Sequence, residues 1–248
     1  MSISRDIRTT APHTTGIRSN FNAVTCLEKV ATAARHVAYK GGAKQFDISD
    51  LSLLDLAWLA EILGEGEVSV KINETPQIIA QESVFAGIWH LKSKGVDKIE
   101  VAAIPELALT CAFKAKSPGQ KNKTPLIKGL LSAPALLTEI LDKSANYRLY
   151  QTPYVINLTH LPHTESDLQW LDKALGTGMV TILSRGYGNC RISATATYGV
   201  WRVQFFNSTD TLVLDTFEIT NIPKLALASA EDISDSSLRI VKALETIA

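Results

Sequence analysis

The chain has 248 residues, 46% of them hydrophobic and 20% charged, which is enough to bury a sizeable core in one large domain or two small ones. Its 25 basic and 25 acidic residues cancel, removing the concentrated positive field expected of a nucleic-acid binder. No apolar run approaches the ~18 residues of a membrane span, and the three scattered cysteines, Cys26, Cys111 and Cys190, suggest neither a disulfide framework nor a Cys-rich metal site.

Residues 1–20 are rich in Thr, Arg and Ser and read as a flexible N-terminal arm; the first ten lack the apolar core of a signal peptide, so the expectation is a cytoplasmic protein. A helix follows, with Val24, Leu27, Val30, Ala31, Ala34 and Val37 near helical period, stopped at Gly41-Gly42. Residues 46–48 read as a short strand. A Leu-rich helix then opens near Asp50 or Ser52 and runs to Leu63, before Gly64. Beyond Gly66 the apolar period falls from about 3.6 to 2, predicting strands at 68–72, at 78–92 with a break near the middle, and at 96–103. Pro105 suits the first turn of a helix over 105–116. The second half predicts a helix at 130–145, a strand at 154–158, a helix at 167–175 and strands at 179–183, 190–206 and 211–219. A short helix at 223–228 and an amphipathic one at 234–247 follow. Between the halves, residues 114–125 form a Lys-, Pro- and Gly-rich linker.

The halves repeat one another. The segment from Leu54 to Val68 returns as Ser166 to Val180, 112 positions later, so that Trp58 matches Trp170 and Gly66 matches Gly178. The same offset carries Gly87-Ile88-Trp89 onto Gly199-Val200-Trp201. After a six-residue insertion, Glu100, Pro105 and Leu109 match Glu218, Pro223 and Leu227. The predicted fold is therefore α/β with an internal duplication: two similar units related by a pseudo-two-fold, each a mostly antiparallel sheet flanked by helices and covered on one face. The expected division is the arm at 1–20, a first copy at 21–118 and a second at 119–248.

Chemistry is sparse. In Ser184-Arg185-Gly186-Tyr187-Gly188-Asn189-Cys190-Arg191, two glycines, an Asn and two arginines make a tight loop with cationic edges, suited to recognition by arginine's planar fork. Cys190 as a nucleophile would need a base and a depressed pKa, and no His lies within sequence reach. His160 and His163 flank Pro162, which prevents the helix that would aim both rings at one metal. Gly64-Glu65-Gly66-Glu67 follows a helix and carries two carboxylates, so it reads as a helix cap and turn rather than a phosphate loop. Glu65, Glu67, Glu74 and Glu82 of the first copy match Thr177, Met179, Gly186 and Ala194, while Ile79 and His90 match Arg191 and Arg202. Either the halves pack in a complementary way or a groove has two differently charged walls. Because the first copy keeps the scaffold without these residues, Arg185, Tyr187, Asn189, Arg191 and Arg202 are the candidate partner-binding residues.

The string from Ser184 to Ile192, with Gly199–Ser208 and Leu214–Ile219, resembles the C-terminal region of the HupH/HyaF family of hydrogenase expression/formation proteins; Glu82–Trp89 resembles it a second time. The resemblance covers about residues 50–232. It implies a non-catalytic accessory chaperone in nickel–iron hydrogenase maturation, acting on the iron–sulfur small-subunit precursor before twin-arginine export. A thioredoxin-like accessory protein is the companion it implies. No cofactor or metal is expected. Two other readings remain: a redox or cluster-handling enzyme using Cys190, and a small-molecule-binding regulator.

Overall fold

In the computed structural model, residues 21–114, 124–148, 151–186 and 188–247 are described. The first unit runs α1 (Phe21–Lys40), β1 (Ala43–Asp47), α2 (Leu53–Leu63), β2 (Val68–Ile72), β3 (Ile78–Glu82), β4 (Ile88–Ser93), β5 (Val96–Ala102) and α3 (Glu106–Cys111). The second runs α4 (Ala133–Asn146), β6 (Tyr154–Asn157), α5 (Glu165–Leu175), β7 (Thr177–Ser184), β8 (Asn189–Thr195), β9 (Val200–Phe206) and β10 (Leu212–Ile219). A 3-10 turn at Lys224–Ala226 and α6 (Ala230–Ile247) close the chain. The predicted strand 190–206 is thus two strands, as is 78–92. The break has one cause in both: the backbone reverses through Gly87 and Gly199, at φ of 76° and 72°, a region glycine enters without a Cβ clash. The predicted arm and most of the linker lie outside the described residues.

Matching sequence produces matching local chemistry. Helix α2 is N-capped by Ser52, whose hydroxyl accepts from Asp55 N, and α5 by Thr164, whose hydroxyl accepts from Asp167 N. Gly64 and Gly176 end the two helices. The capped aspartates are buried and each then reaches the start of the helix before it. Ala23 N donates to Asp55 at 3.3 Å, while Leu131, Ser132 and Ala133 N donate to Asp167 at 2.9, 3.2 and 2.9 Å. One carboxylate thereby satisfies free N–H groups of two helices. Burial pushes Asp167 up, but these bonds and those from Thr164 outweigh it and hold the carboxyl far below the usual range. Gly66 and Gly178 are required by close approach: a Cβ there would stand 2.3 Å from Ser83 O and 2.5 Å from Thr195 O.

Among the described residues the strands form one ten-stranded antiparallel sheet, in the order β1-β5-β4-β3-β2-β7-β8-β9-β10-β6. The expected sheets of the two units are halves of it, joined where β2 pairs with β7. Pairing hides an edge that each half alone would expose. In that junction Val70 lies opposite Ile182, its own repeat equivalent, so the pseudo-two-fold axis passes between these two residues.

Strand alternation sorts the side chains onto two faces. Val70, Ile72, Trp89, Leu91, Ile182, Ile192, Trp201 and Val203 pack on one face with α3 and Ala226. On the other, Ile88, Ile99 and Val101 pack under α1, α2 and α6, while Ile156, Val200, Phe217 and Ile219 pack under α4 and α5. Both faces of the sheet therefore carry helices, in place of the single covered face expected. The reason is that β4, β5, β9 and β10 bury alternate residues on opposite sides, which a period-2 pattern in one half did not reveal. Helix α6 returns to the first unit: its Ile233 and Ile240 join the α1 cluster, and Ser237 Oγ donates to Ala31 O at 2.8 Å.

Candidate recognition face

The helices of the second face stand over β4 and β5 at one side and over β9 and β10 at the other. The strands between them present their outer side chains to solvent. Cross-strand register arranges these in two neighbouring rows. One reads Arg202, Ser193, Thr181, Lys71, Ile79, Lys92, Asp97; the other reads His90, Gln81, Ser69, Leu183, Arg191, Gln204, Asp215. Each row is the repeat image of the other, position by position. Ile79 and Leu183 remain 49% and 40% exposed at the centre, unusual for aliphatic residues in the middle of a sheet.

The symmetry is chemical at the rims. In the first copy His90 Nε2 lies 2.5 Å from Asp97 Oδ1. In the second, Arg202 lies between Asp215, contacted by Nε at 3.0 Å and Nη2 at 2.6 Å, and Asp172, contacted by Nη1 at 2.6 Å. Burial opposes the Arg202 charge, but the two carboxylates outweigh it and strengthen it. Its guanidinium also lies 5.7 Å from the Phe217 ring centroid. Arg202, one of the candidate partner-binding residues, keeps 14% of its side chain exposed and directs Nε, Nη1 and Nη2 at these two carboxylates.

The remaining candidates gather at one end of the β7–β8 pair. Arg185 and Asn189 are exposed, and Arg191 stands over the Phe206 ring at 5.6 Å. Asn189 Nδ2 donates to Asp210 Oδ1 at 3.2 Å. With Leu183, Ser184, Cys190, Phe206 and Asp210 these three line a shallow depression of about 470 Å³. Tyr187 lies outside the described residues. A second depression of about 560 Å³, lined by Gln77, Ile79, Lys92 and Asp97 among others, occupies the repeat-equivalent place in the first copy. Gln77 and Ile79 there stand where Asn189 and Arg191 stand here.

The acidic residues of the first copy divide. Glu67 O accepts from Arg185 N at 3.1 Å and its carboxylate lies against Gly186, so there the halves do pack in a complementary way. Glu74 accepts from Cys111 Sγ at 3.1 Å and meets Lys114 at 3.4 Å. Glu82 is buried and accepts from Gly87 N at 2.9 Å; burial pushes its carboxyl up. Glu65 is exposed. Cys190 is buried on the α3 face, and burial, with a contribution from the Glu218 charge, pushes its thiol up to about 11. At neutral pH it is a thiol, not a nucleophilic thiolate. Among the described residues no group of three or more His, Cys, Asp and Glu side chains is placed to hold a metal.

The tryptophans serve the scaffold. Trp89 Nε1 donates to Ala102 O at 2.9 Å and Trp201 Nε1 to Asn221 O at 3.2 Å, at matching positions on the α3 face. Trp170 is 5% exposed and donates to Pro125 O at 2.8 Å. Trp58 is only half-buried and has no such acceptor among the described residues.

A family profile described as "HupH hydrogenase expression protein, C-terminal conserved region" matches this chain twice, over residues 20–114 and 130–247. The chain belongs to this family. It is 49% identical over 251 residues to the "Hydrogenase expression/formation protein HupH" of Rhodobacter capsulatus, covering 100% of this chain and 90% of that protein. It is 32% identical over 212 residues to the "Hydrogenase-1 operon protein HyaF" of Escherichia coli (strain K12), covering 82% of this chain and 73% of that protein. The solved structure of the "Hydrogenase expression protein HupH from Thiobacillus denitrificans ATCC 25259" matches with a TM-score of 0.45 at 25% identity, covering 48% of this chain and 99% of that chain. The two family matches fall one on each half of the ten-stranded sheet, so the profile describes one unit and this chain carries it twice.

Proposed function

We propose that this chain is a non-catalytic accessory chaperone of nickel–iron hydrogenase maturation, which holds the iron–sulfur small-subunit precursor in the cytoplasm before export. The observation that carries the reading is kinship along the whole chain with proteins named for hydrogenase expression and formation. In this reading a thioredoxin-like accessory protein is its companion. The contact surface in this reading is the cationic end of β7–β8: Arg185, Tyr187, Asn189 and Arg191, with the Arg202 network as its support. Arginine and tyrosine are the residue types that concentrate binding energy at interfaces. The scaffold alone does not demand them, since the first copy carries Asn73, Thr75, Gln77 and Ile79 at those positions.

A redox or cluster-handling role for Cys190 requires a reactive thiolate, and burial works against one. The binding reading is tested by tagging the chain in a hydrogenase-producing cell and identifying what co-purifies. Recovery of the small-subunit precursor is the expected result. A preparation that repeatedly lacks it, while the hydrogenase is being made, contradicts the proposal.

A further inference from the structure

In the trough between the two sets of helices lie three cations, Lys71 on β2, Lys92 on β4 and Arg191 on β8. They stand outside every ion pair among the described residues, although Lys92 has Asp97 opposite it across the strand pair. The acids facing the trough are all engaged. Asp97 is bonded to His90, Asp172 and Asp215 to Arg202, and Asp210 accepts from Asn189. Lys71 and Arg191 therefore stand near the centre of the sheet and Lys92 towards one side, while each carboxylate is held by a hydrogen-bonding partner of its own. Two exposed aliphatics, Ile79 and Leu183, lie among the cations. They are arranged by the pseudo-two-fold in an exchanged sense: Ile79 lies across strands from both Lys71 and Lys92, and Leu183 from Arg191, so each half sets an apolar contact beside its cations.

The spacing is regular. β4, β2 and β8 are each separated by one intervening strand, which places successive cations about 10 Å apart across the sheet. An extended chain crossing the strands advances by about 3.3 Å per residue and meets a cation at roughly every third residue. These are interior strands with their backbone groups already paired, so recognition falls to side chains. The parts of this chain outside the described residues are poor occupants. Residues 1–20 carry Arg5, Arg8 and Arg18 against a single Asp6, and 115–123 carry Lys116, Lys121 and Lys123 without an acid. A second copy of the chain would set like charge against like.

The geometry points to an external partner segment: an extended, acidic peptide with carboxylates at about every third residue, laid across the pseudo-two-fold from the second copy to the first. This rests on the partner-binding reading above and extends its surface to first-copy residues that the sequence comparison did not single out. The carboxylates meet Arg191, Lys71 and Lys92, and intervening apolar residues meet Ile79 and Leu183.

The test uses the full chain and a rhodamine-labelled peptide of about twelve residues with Glu at every third position, compared with the same peptide carrying Gln instead. Fluorescence anisotropy is expected to show binding of the Glu peptide alone, weakening as salt rises. A Lys71→Gln/Lys92→Gln protein with an unchanged melting temperature is expected to bind it about tenfold more weakly. Equal binding of both peptides, or an affinity untouched by the double substitution, overturns the inference. Co-purification separates this from the wider reading. If the double variant recovers the small-subunit precursor as fully as the unaltered chain, the trough is not the contact, and the accessory role stands without it. If the precursor is lost only from the double variant, the inference is supported.

Discussion

Asp167 shows how much one buried side chain can hold. It caps its own helix and accepts from three N–H groups at the start of α4. Replacing it with alanine leaves those donors buried and unpaired at about 1–3 kcal/mol each, so Asp167→Ala should lower stability by about 3 kcal/mol or more. Asp55→Ala, which releases one such donor from α1, should cost roughly 1–2 kcal/mol. Chemical denaturation of both proteins checks the ranking. The sign of the pH dependence follows from the depressed folded-state pKa of Asp167. Its stabilisation is fully present above the ordinary unfolded value of about 3.9 and is lost as pH falls below it towards the lower folded value. The acid limb of the stability curve should therefore flatten in Asp167→Ala. Cys190 gives a prediction of opposite kind. Its thiol should resist alkylation at pH 7, and Cys190→Ser should keep both fold and partner binding, as read by melting and co-purification. Loss of maturation with binding intact would restore the redox reading. Arg202 marks the limit of sequence at this scale. Comparing the copies drew attention to it, but its partners Asp172 and Asp215 stand 30 and 13 residues away, and only the placement of α5 beside β9 brings them together.

The elements were legible wherever local chemistry sets them. Ser52 and Thr164 announce their helices through short polar caps, and Gly64 and Gly176 close them. The boundaries of β8 and β9 were not legible, since apolar residues continue through the turn and only Gly199 marks the reversal. Gly66 and Gly178 explain the repeat's most obvious small residues. Each leaves room for a backbone carbonyl at the end of a neighbouring strand, Ser83 O or Thr195 O, so Gly66→Ala or Gly178→Ala should cost about 2 kcal/mol or more through forced backbone movement. Calorimetry on the two single variants would check this, and equal melting temperatures to the unaltered chain would show that the loop relaxes freely.

At the scale of the molecule, the repeat disclosed two units but not their union. Nothing in either copy says that β2 will pair with β7, because a strand with one buried face fits a sheet edge and a sheet centre alike. The union matters for function: it makes one continuous floor from two half-floors and brings Arg191 within two strands of Lys71. The candidate site was half legible for the same reason. The loop from Arg185 to Arg191 stood out against its twin, whereas Lys71 and Lys92 are ordinary strand lysines until the sheet is assembled. In the proposed function, the second copy's cationic end grips the hydrogenase small-subunit precursor. That contact is tested most directly by measuring the affinity of purified precursor for Arg185→Ala, Tyr187→Ala and Arg191→Ala proteins whose melting temperatures are unchanged. A contacting arginine contributes about 1–3 kcal/mol through charge-assisted hydrogen bonds, so a loss of roughly tenfold or more in affinity is predicted. Undiminished affinity in all three would contradict the claim and place the interface elsewhere.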